Sequence, residues 1–223
     1  MKKYMPMGML AMGILAGVLR SRAYRSAVDA RGLLIPTHPL LLALWALALL
    51  ALAASIWYAR TVQTPEPLPD WMPAGGCFAL AAGMALAMFQ SGGNLIFRVL
   101  LPVGAVAIAL VGSRLILGKR PVFGCHLALT ACFAGYLVAS YQLWSRDPQL
   151  MDYLFTLLGG VCLTLFAYEQ AAGDLGKFSR KRMFFGMFGG FLCLASLPWK
   201  NWIFPAGALW MLTNLAVPTQ EGN

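Results

Sequence analysis

The chain has 223 residues, of which 60% are hydrophobic and only 11% are charged, whereas roughly 25% of the residues are charged in ordinary soluble domains. This composition excludes a soluble domain built around a single apolar core, and no polar stretch is long enough to hold a separate extramembrane domain. The net charge of +9 would suggest nucleic-acid binding in a soluble protein. Here the basic residues lie mainly at the ends of apolar runs, where anionic lipid headgroups attract them.

Apolar runs between charged residues predict an all-α, polytopic transmembrane helical bundle, within one membrane domain covering residues 1–223. Eight runs are candidate membrane-spanning helices, at about 4–19, 39–59, 72–90, 95–117, 123–143, 149–171, 183–198 and 202–217. The second to sixth reach the roughly 20 residues that a bilayer requires. The first, seventh and eighth are shorter, with about 16 residues each, and must use flanking residues or thin the bilayer. We predict eight spans, with seven as the alternative.

The first run begins after Lys2 and Lys3, as a signal peptide would. It is followed by "RSRAYRSAVDARG" rather than by a small-residue cleavage site, which favours a retained helix. Orientation is harder to predict, because eight spans place the basic segment after the first run opposite those after the fourth and sixth. The amino-terminal lysines agree with the latter two, so we predict that both termini are cytoplasmic.

The third run contains small residues at every fourth position: Gly75, Ala79, Gly83 and Ala87. Helices in a bilayer associate through close backbone approach, which such residues permit. The pattern predicts a packing stripe against another helix of the same chain. The alternative is a docking face for a partner membrane protein or a second copy.

The fifth run begins with Cys125 and His126, residues that bind metals in other proteins. Adjacent helical residues point about 100° apart and cannot comfortably share one ion. No second His or Cys with a carboxylate follows at a suitable spacing, and the five cysteines stand singly. We therefore predict neither a metal site nor a cofactor site.

The sixth run is preceded by "SRDPQL", in which Asp147 is a natural N-cap and Pro148 suits the first helical position. Asp152, Thr156 and Gln170 share one helical face with Gly159 and Leu163, whereas Glu169 points about 100° away. This polar face predicts a small cavity or ligand site, with Asp152 at one end and Gln170 at the other. The structural alternative is that Asp152 only complements the helix dipole at the amino terminus.

A basic stretch, Arg180, Lys181 and Arg182, follows the sixth run, and we predict that it contacts lipid headgroups or other phosphates. In an enzyme acting on lipid or isoprenoid phosphates, Glu169 or Asp174 would be the nearby acid or base. The sequence contains no nucleophile elbow, P-loop or dinucleotide fingerprint. The absence of these motifs argues against an enzyme.

Three segments, "DARGLLIP", "SRDPQLMDYLF" and "LWMLTNLAV", resemble those of uncharacterised polytopic membrane proteins from gut Clostridia, a group without an assigned activity. The resemblance implies a bacterial cytoplasmic membrane location and about eight helices, and it transfers no catalytic residue. Our functional hypothesis is a non-enzymatic small-solute transporter component or membrane scaffold. The alternative is a membrane-embedded enzyme acting on lipid or isoprenoid phosphate substrates.

Overall fold

The computed structural model describes residues 4–26, 35, 38–62, 71–90, 95–119, 122–144, 150–174, 179–196 and 201–215. The regular elements in these ranges are eight helices: α1 (Met5–Ser26), α2 (Pro39–Thr61), α3 (Trp71–Gln90), α4 (Leu95–Ile116), α5 (Phe123–Trp144), α6 (Leu150–Asp174), α7 (Arg180–Ala195) and α8 (Ile203–Thr213). The predicted helical bundle is confirmed. Asp147 and Pro148, the predicted start of the sixth helix, lie outside the described residues.

Five helices, α2 to α6, are long and apolar enough to cross a membrane. The other three differ from them for separate reasons. Helix α1 carries Arg20, Arg22 and Arg25 in its second half, while α7 and α8 have only 16 and 11 residues. The predicted count of eight spans is therefore not confirmed.

Local sequence explains several helix ends. Helix α2 begins with Pro39, whose fixed φ suits the first helical position, and the preceding His38 accepts a hydrogen bond at Nδ1 from the Leu40 amide at 3.3 Å. Ser179 caps α7 in the same way, since its Oγ accepts from the Lys181 amide at 3.1 Å. Beyond the end of α4, Gly118 adopts φ +63°, a conformation that glycine adopts without steric cost.

Helices α6 and α7 pack closely because a glycine faces a larger side chain at several levels. A Cβ on Gly186 would lie 2.8 Å from a ring carbon of Phe166, so a larger residue would not fit. The paired levels are Gly159 with Cys193, Cys162 with Gly189, Phe166 with Gly186, and Gln170 with Arg182. From one pair to the next, the residue number rises in α6 and falls in α7, so the two helices are antiparallel.

Helices α7 and α8 form a hairpin at the centre of the bundle. Helix α7 contacts α1, α2, α6 and α8, and α8 also contacts α3 and α6. Every residue of α7 from Gly189 to Ala195 is buried. Along α8, Trp210 is fully buried and its indole meets the ring of Phe166 edge-on, with centroids 4.9 Å apart. The outer helices therefore enclose this hairpin.

Contacts along the chain show that successive helices run in alternating directions. Leu163, Phe166 and Gln170 of α6 meet residues of α8 in the same order, so these two helices are parallel. Gly76 and Gly83 of α3 meet α8 in reverse order. We call the end that holds Gln170, Arg182 and Asn214 the Arg182 end, and the opposite end, where α7 finishes near Arg20, the Arg20 end.

Candidate functional site

The predicted polar face of α6 is turned toward the central hairpin. Thr156 is half-buried, while Leu163 and Gln170 are only 1% and 4% exposed. Gly159 is not a gap, because a Cβ there would lie 3.2 Å from the sulfur of Cys193, which also donates to the Gly159 carbonyl oxygen at 3.7 Å. The side chain of Asp152 lies outside the described residues. From Gly159 to Gln170 this face is packed against α7 and α8.

Gln170 belongs to a buried hydrogen-bonded cluster at the Arg182 end. Its Nε2 donates to the carbonyl oxygen of Asn214 at 2.9 Å, and its Oε1 accepts from Arg182 Nη1 at 3.4 Å. Arg182, which is 3% exposed, also donates from Nη2 to the carbonyl oxygen of Leu215 at 3.2 Å. Residues from α6 and α7 thus bind the chain where α8 ends.

Asn214 extends this cluster to a fourth helix. Its Nδ2 donates to the carbonyl oxygen of Pro73 in α3 at 3.1 Å, and its Oδ1 accepts from Cys77 Sγ at 3.9 Å. We call Gln170, Arg182, Asn214, Pro73 and Cys77 the Arg182 cluster. It joins α3, α6, α7 and the end of α8 through hydrogen bonds within the protein interior.

The chemistry of the Arg182 cluster follows from the unpaired carbonyl groups at a helix end. The last carbonyl oxygens of a helix have no partner within it, and they carry a partial negative charge. An amide and a guanidinium supply donors and, in the case of Arg182, positive charge. The cluster therefore stabilises a helix end inside the protein, where unsatisfied polar groups are costly.

The three predicted phosphate contacts lie in different surroundings. Arg182 is buried in the Arg182 cluster, whereas Arg180 and Lys181 are exposed at the beginning of α7. Residues 180 to 182 span about 200° around a helix, so the first residues can face outward while the third faces the core. Only Arg180 and Lys181 remain accessible to an external phosphate.

A second buried arginine was missed by the sequence reasoning. Arg20 is 5% exposed, and its Nη1 donates to the carbonyl oxygen of Ala195, the last residue of α7, at 3.3 Å. Its Nη2 donates to the Tyr24 hydroxyl at 3.1 Å. The guanidinium carbon lies 5.4 Å from the ring centroids of both Tyr24 and Phe155, within cation–π range. In the sequence, the nearby Arg22 and Arg25 make Arg20 look like part of an exposed basic segment.

The beginning of α8 is held by a third polar contact, which was also not predicted. Asn201 Oδ1 accepts from the Ile203 amide at 3.1 Å, so its side chain caps the helix. Its Nδ2 donates to the hydroxyl of Tyr136 in α5. Both ends of α8 are therefore fixed to other helices by asparagine side chains.

The predicted small-residue stripe of α3 is only partly at a helix interface. Gly83 and Ala87 are buried, but Ala79 is half-buried and Gly75 is exposed, with no atom within 4 Å of a Cβ placed on it. Four residues correspond to 400° of helical turn, so a strict spacing of four drifts around the helix by about 40° per step. The buried line alternates spacings of four and three and includes Gly76, where a Cβ would collide with Thr213.

His126 is buried near the start of α5, and Cys125 beside it is half-buried. Among the residues that the structure describes, no group of three or more His, Cys, Asp or Glu side chains could hold a metal ion. The polar clusters contain guanidinium, amide, hydroxyl and thiol groups bonded to helix ends. These groups position helices.

Comparison with known proteins found no matching family model, no matching curated protein and no matching solved structure.

Proposed function

We propose that the chain is a multi-pass integral membrane protein that acts as a membrane scaffold or as the membrane component of a small-solute transporter. The observation that carries this proposal is an outer layer of long helices with exposed apolar side chains around a buried hairpin. Exposed residues include Leu42 and Leu49 on α2 and Val99, Val103 and Val106 on α4. In water such a surface would be unfavourable, whereas hydrocarbon would solvate it.

The short helices are compatible with eight crossings. A helix exposed to lipid must match a hydrocarbon layer of roughly 30 Å, but α7 and α8 are largely surrounded by other helices. Mismatch with lipid therefore matters little for them. The alternating directions support a topology with both termini at the Arg182 end. Among the described residues, this end carries more Lys and Arg residues than the Arg20 end, so we assign it to the cytoplasmic side of a bacterial membrane.

Within this proposal, a scaffold is favoured over a solute path along α6. A path would need space beside Thr156, Gly159 and Gln170. Cys193 fills the space at Gly159, and Gln170 is engaged by Asn214 and Arg182. A transporter would therefore have to separate α6 from α7, or use a partner subunit for the solute path.

The decisive experiment is isolation from native membranes in mild detergent, followed by identification of bound proteins and by flux measurements after reconstitution. A stable membrane-protein partner without solute flux supports the scaffold. A bound ATPase together with ATP-dependent flux supports the transporter component. Turnover of a lipid or isoprenoid phosphate by the purified chain would overturn both versions and establish the enzyme alternative.

A further inference from the structure

Basic residues of two packed helices, α2 and α7, both lie at the Arg182 end. Helices α2 and α7 are in contact, and the ring of Trp45 on α2 lies 5.6 Å from that of Phe155 on α6. Arg60 follows Trp45 by 15 residues on α2, and Gln170 follows Phe155 by 15 residues on α6. Both distances are about 22 Å of helix, so Arg60 lies at the depth of Gln170 and of its partner Arg182.

Three exposed cations lie on α2 and α7 at this end. Arg60, Arg180 and Lys181 are all exposed, whereas Arg182 is withdrawn into the Arg182 cluster. Glu169 on α6 is the only acidic residue whose side-chain burial is described, and it is half-buried. Arg114 on α4 and Lys119, just beyond the end of α4, lie at the same end, but α4 contacts α3 and α5 instead of α2 and α7. Arg60, Arg180 and Lys181 therefore form a separate group, which we call the α2–α7 basic patch.

The surface beside this patch has the features of a membrane interface. Trp57 lies about one turn before Arg60 and is 50% exposed, and exposed tryptophans favour the headgroup region. On the part of α2 that precedes Trp57, Leu49, Leu50 and Ile56 are also exposed. The chemical sequence along the helix is cation, indole and then aliphatic surface, which matches the phosphate, glycerol region and acyl chain of a phospholipid.

We propose that Arg60, Arg180 and Lys181 bind the headgroup of an anionic phospholipid whose acyl chains lie along the exposed face of α2. The cations attract the negatively charged phosphate. The apolar face adds a contact with the acyl chains that soluble phosphate cannot make. This inference rests on the membrane embedding proposed above. It does not depend on whether the chain is a scaffold or a transporter component.

The test compares phosphatidylglycerol, phosphatidylcholine and soluble glycerol phosphate as ligands of the full chain in neutral detergent, by native mass spectrometry and thermal shift. The triple variant R60Q/R180Q/K181Q removes the patch. The matched control R22Q/R25Q/R98Q removes three exposed cations at the Arg20 end, on helices α1 and α4. We expect the patch variant to bind phosphatidylglycerol at least tenfold more weakly, and the control to bind as the wild type does.

Equal losses in the two variants would overturn the proposal, because binding would then follow net charge alone. It would also fail if phosphatidylcholine or glycerol phosphate bound as tightly as phosphatidylglycerol. If the patch variant does not fold, salt titration of the wild type replaces it, and binding that does not weaken with NaCl contradicts the proposal. Alkaline carbonate washing of membranes tests embedding separately, since release of the chain would refute the membrane assignment itself.

Discussion

Replacing Gly83 with alanine tests the packing of α3 against α8. A Cβ at this position would lie 2.5 Å from the Cβ of Ala206 and 2.9 Å from the carbonyl oxygen of Trp202. Both neighbours belong to the α8 segment, which is fixed at one end by Asn201 and at the other by Asn214. Because α8 cannot easily withdraw, the added methyl group must strain the interface. We estimate a cost of about 1–3 kcal/mol in the free energy of unfolding, as for other overpacked cores.

The matched control is Gly75→Ala on the same helix, where nothing lies within 4 Å of the new Cβ. Both substitutions gain the same helix propensity, about 1 kcal/mol, so the difference between the two variants isolates the packing cost. At roughly 2–4 °C per kcal/mol for a chain of this size, Gly83→Ala should melt about 2–12 °C below Gly75→Ala. Circular dichroism in detergent measures both melting temperatures. Equal values would refute the α3–α8 contact.

Three further substitutions test the polar contacts. Gln170→Leu leaves buried donors and carbonyl oxygens without partners, so it should lower the free energy of unfolding by about 1–3 kcal/mol. Denaturant titrations measure this loss, and an unchanged midpoint would contradict the Arg182 cluster. Asn201→Ala removes a helix cap and the bond to Tyr136, so thermal melting should report a loss of about 1–2 kcal/mol, and a neutral result would argue against this anchor. Arg20→Gln should lower the melting temperature by several degrees while the exposed Arg22→Gln should not, and equal effects of the two would disprove the burial of Arg20.

Much of the fold could be predicted from the apolar runs, because their length and composition are local properties. The second predicted run, 39–59, corresponds to α2 at Pro39–Thr61, and the sixth to α6. The sequence could also predict that Thr156, Leu163 and Gln170 share a face, since this follows from the helical period. It could not predict whether that face borders a cavity or is packed, because this depends on Cys193, a residue of a different helix.

The two buried arginines illustrate the limit of local reasoning. Arg20 and Arg182 stand among other basic residues in the sequence, and nothing in their spacing distinguishes them from Arg22 or Arg180. Their roles depend on which helix end lies within reach. Arg20 meets the carbonyl end of α7, and Arg182 meets the chain at the end of α8. These contacts join residues far apart in the chain.

The sequence by itself determined that this protein is a bundle of apolar helices, because hydropathy and residue period act within single segments. Only the tertiary structure decided which helices are central, that Gly76 rather than Gly75 lies in the contact of α3 with α8, and which cations remain exposed. The physical reason is that a packing register is chosen by the combined fit of both surfaces. The residue pattern of one helix therefore cannot predict the shape of the neighbouring helix surface.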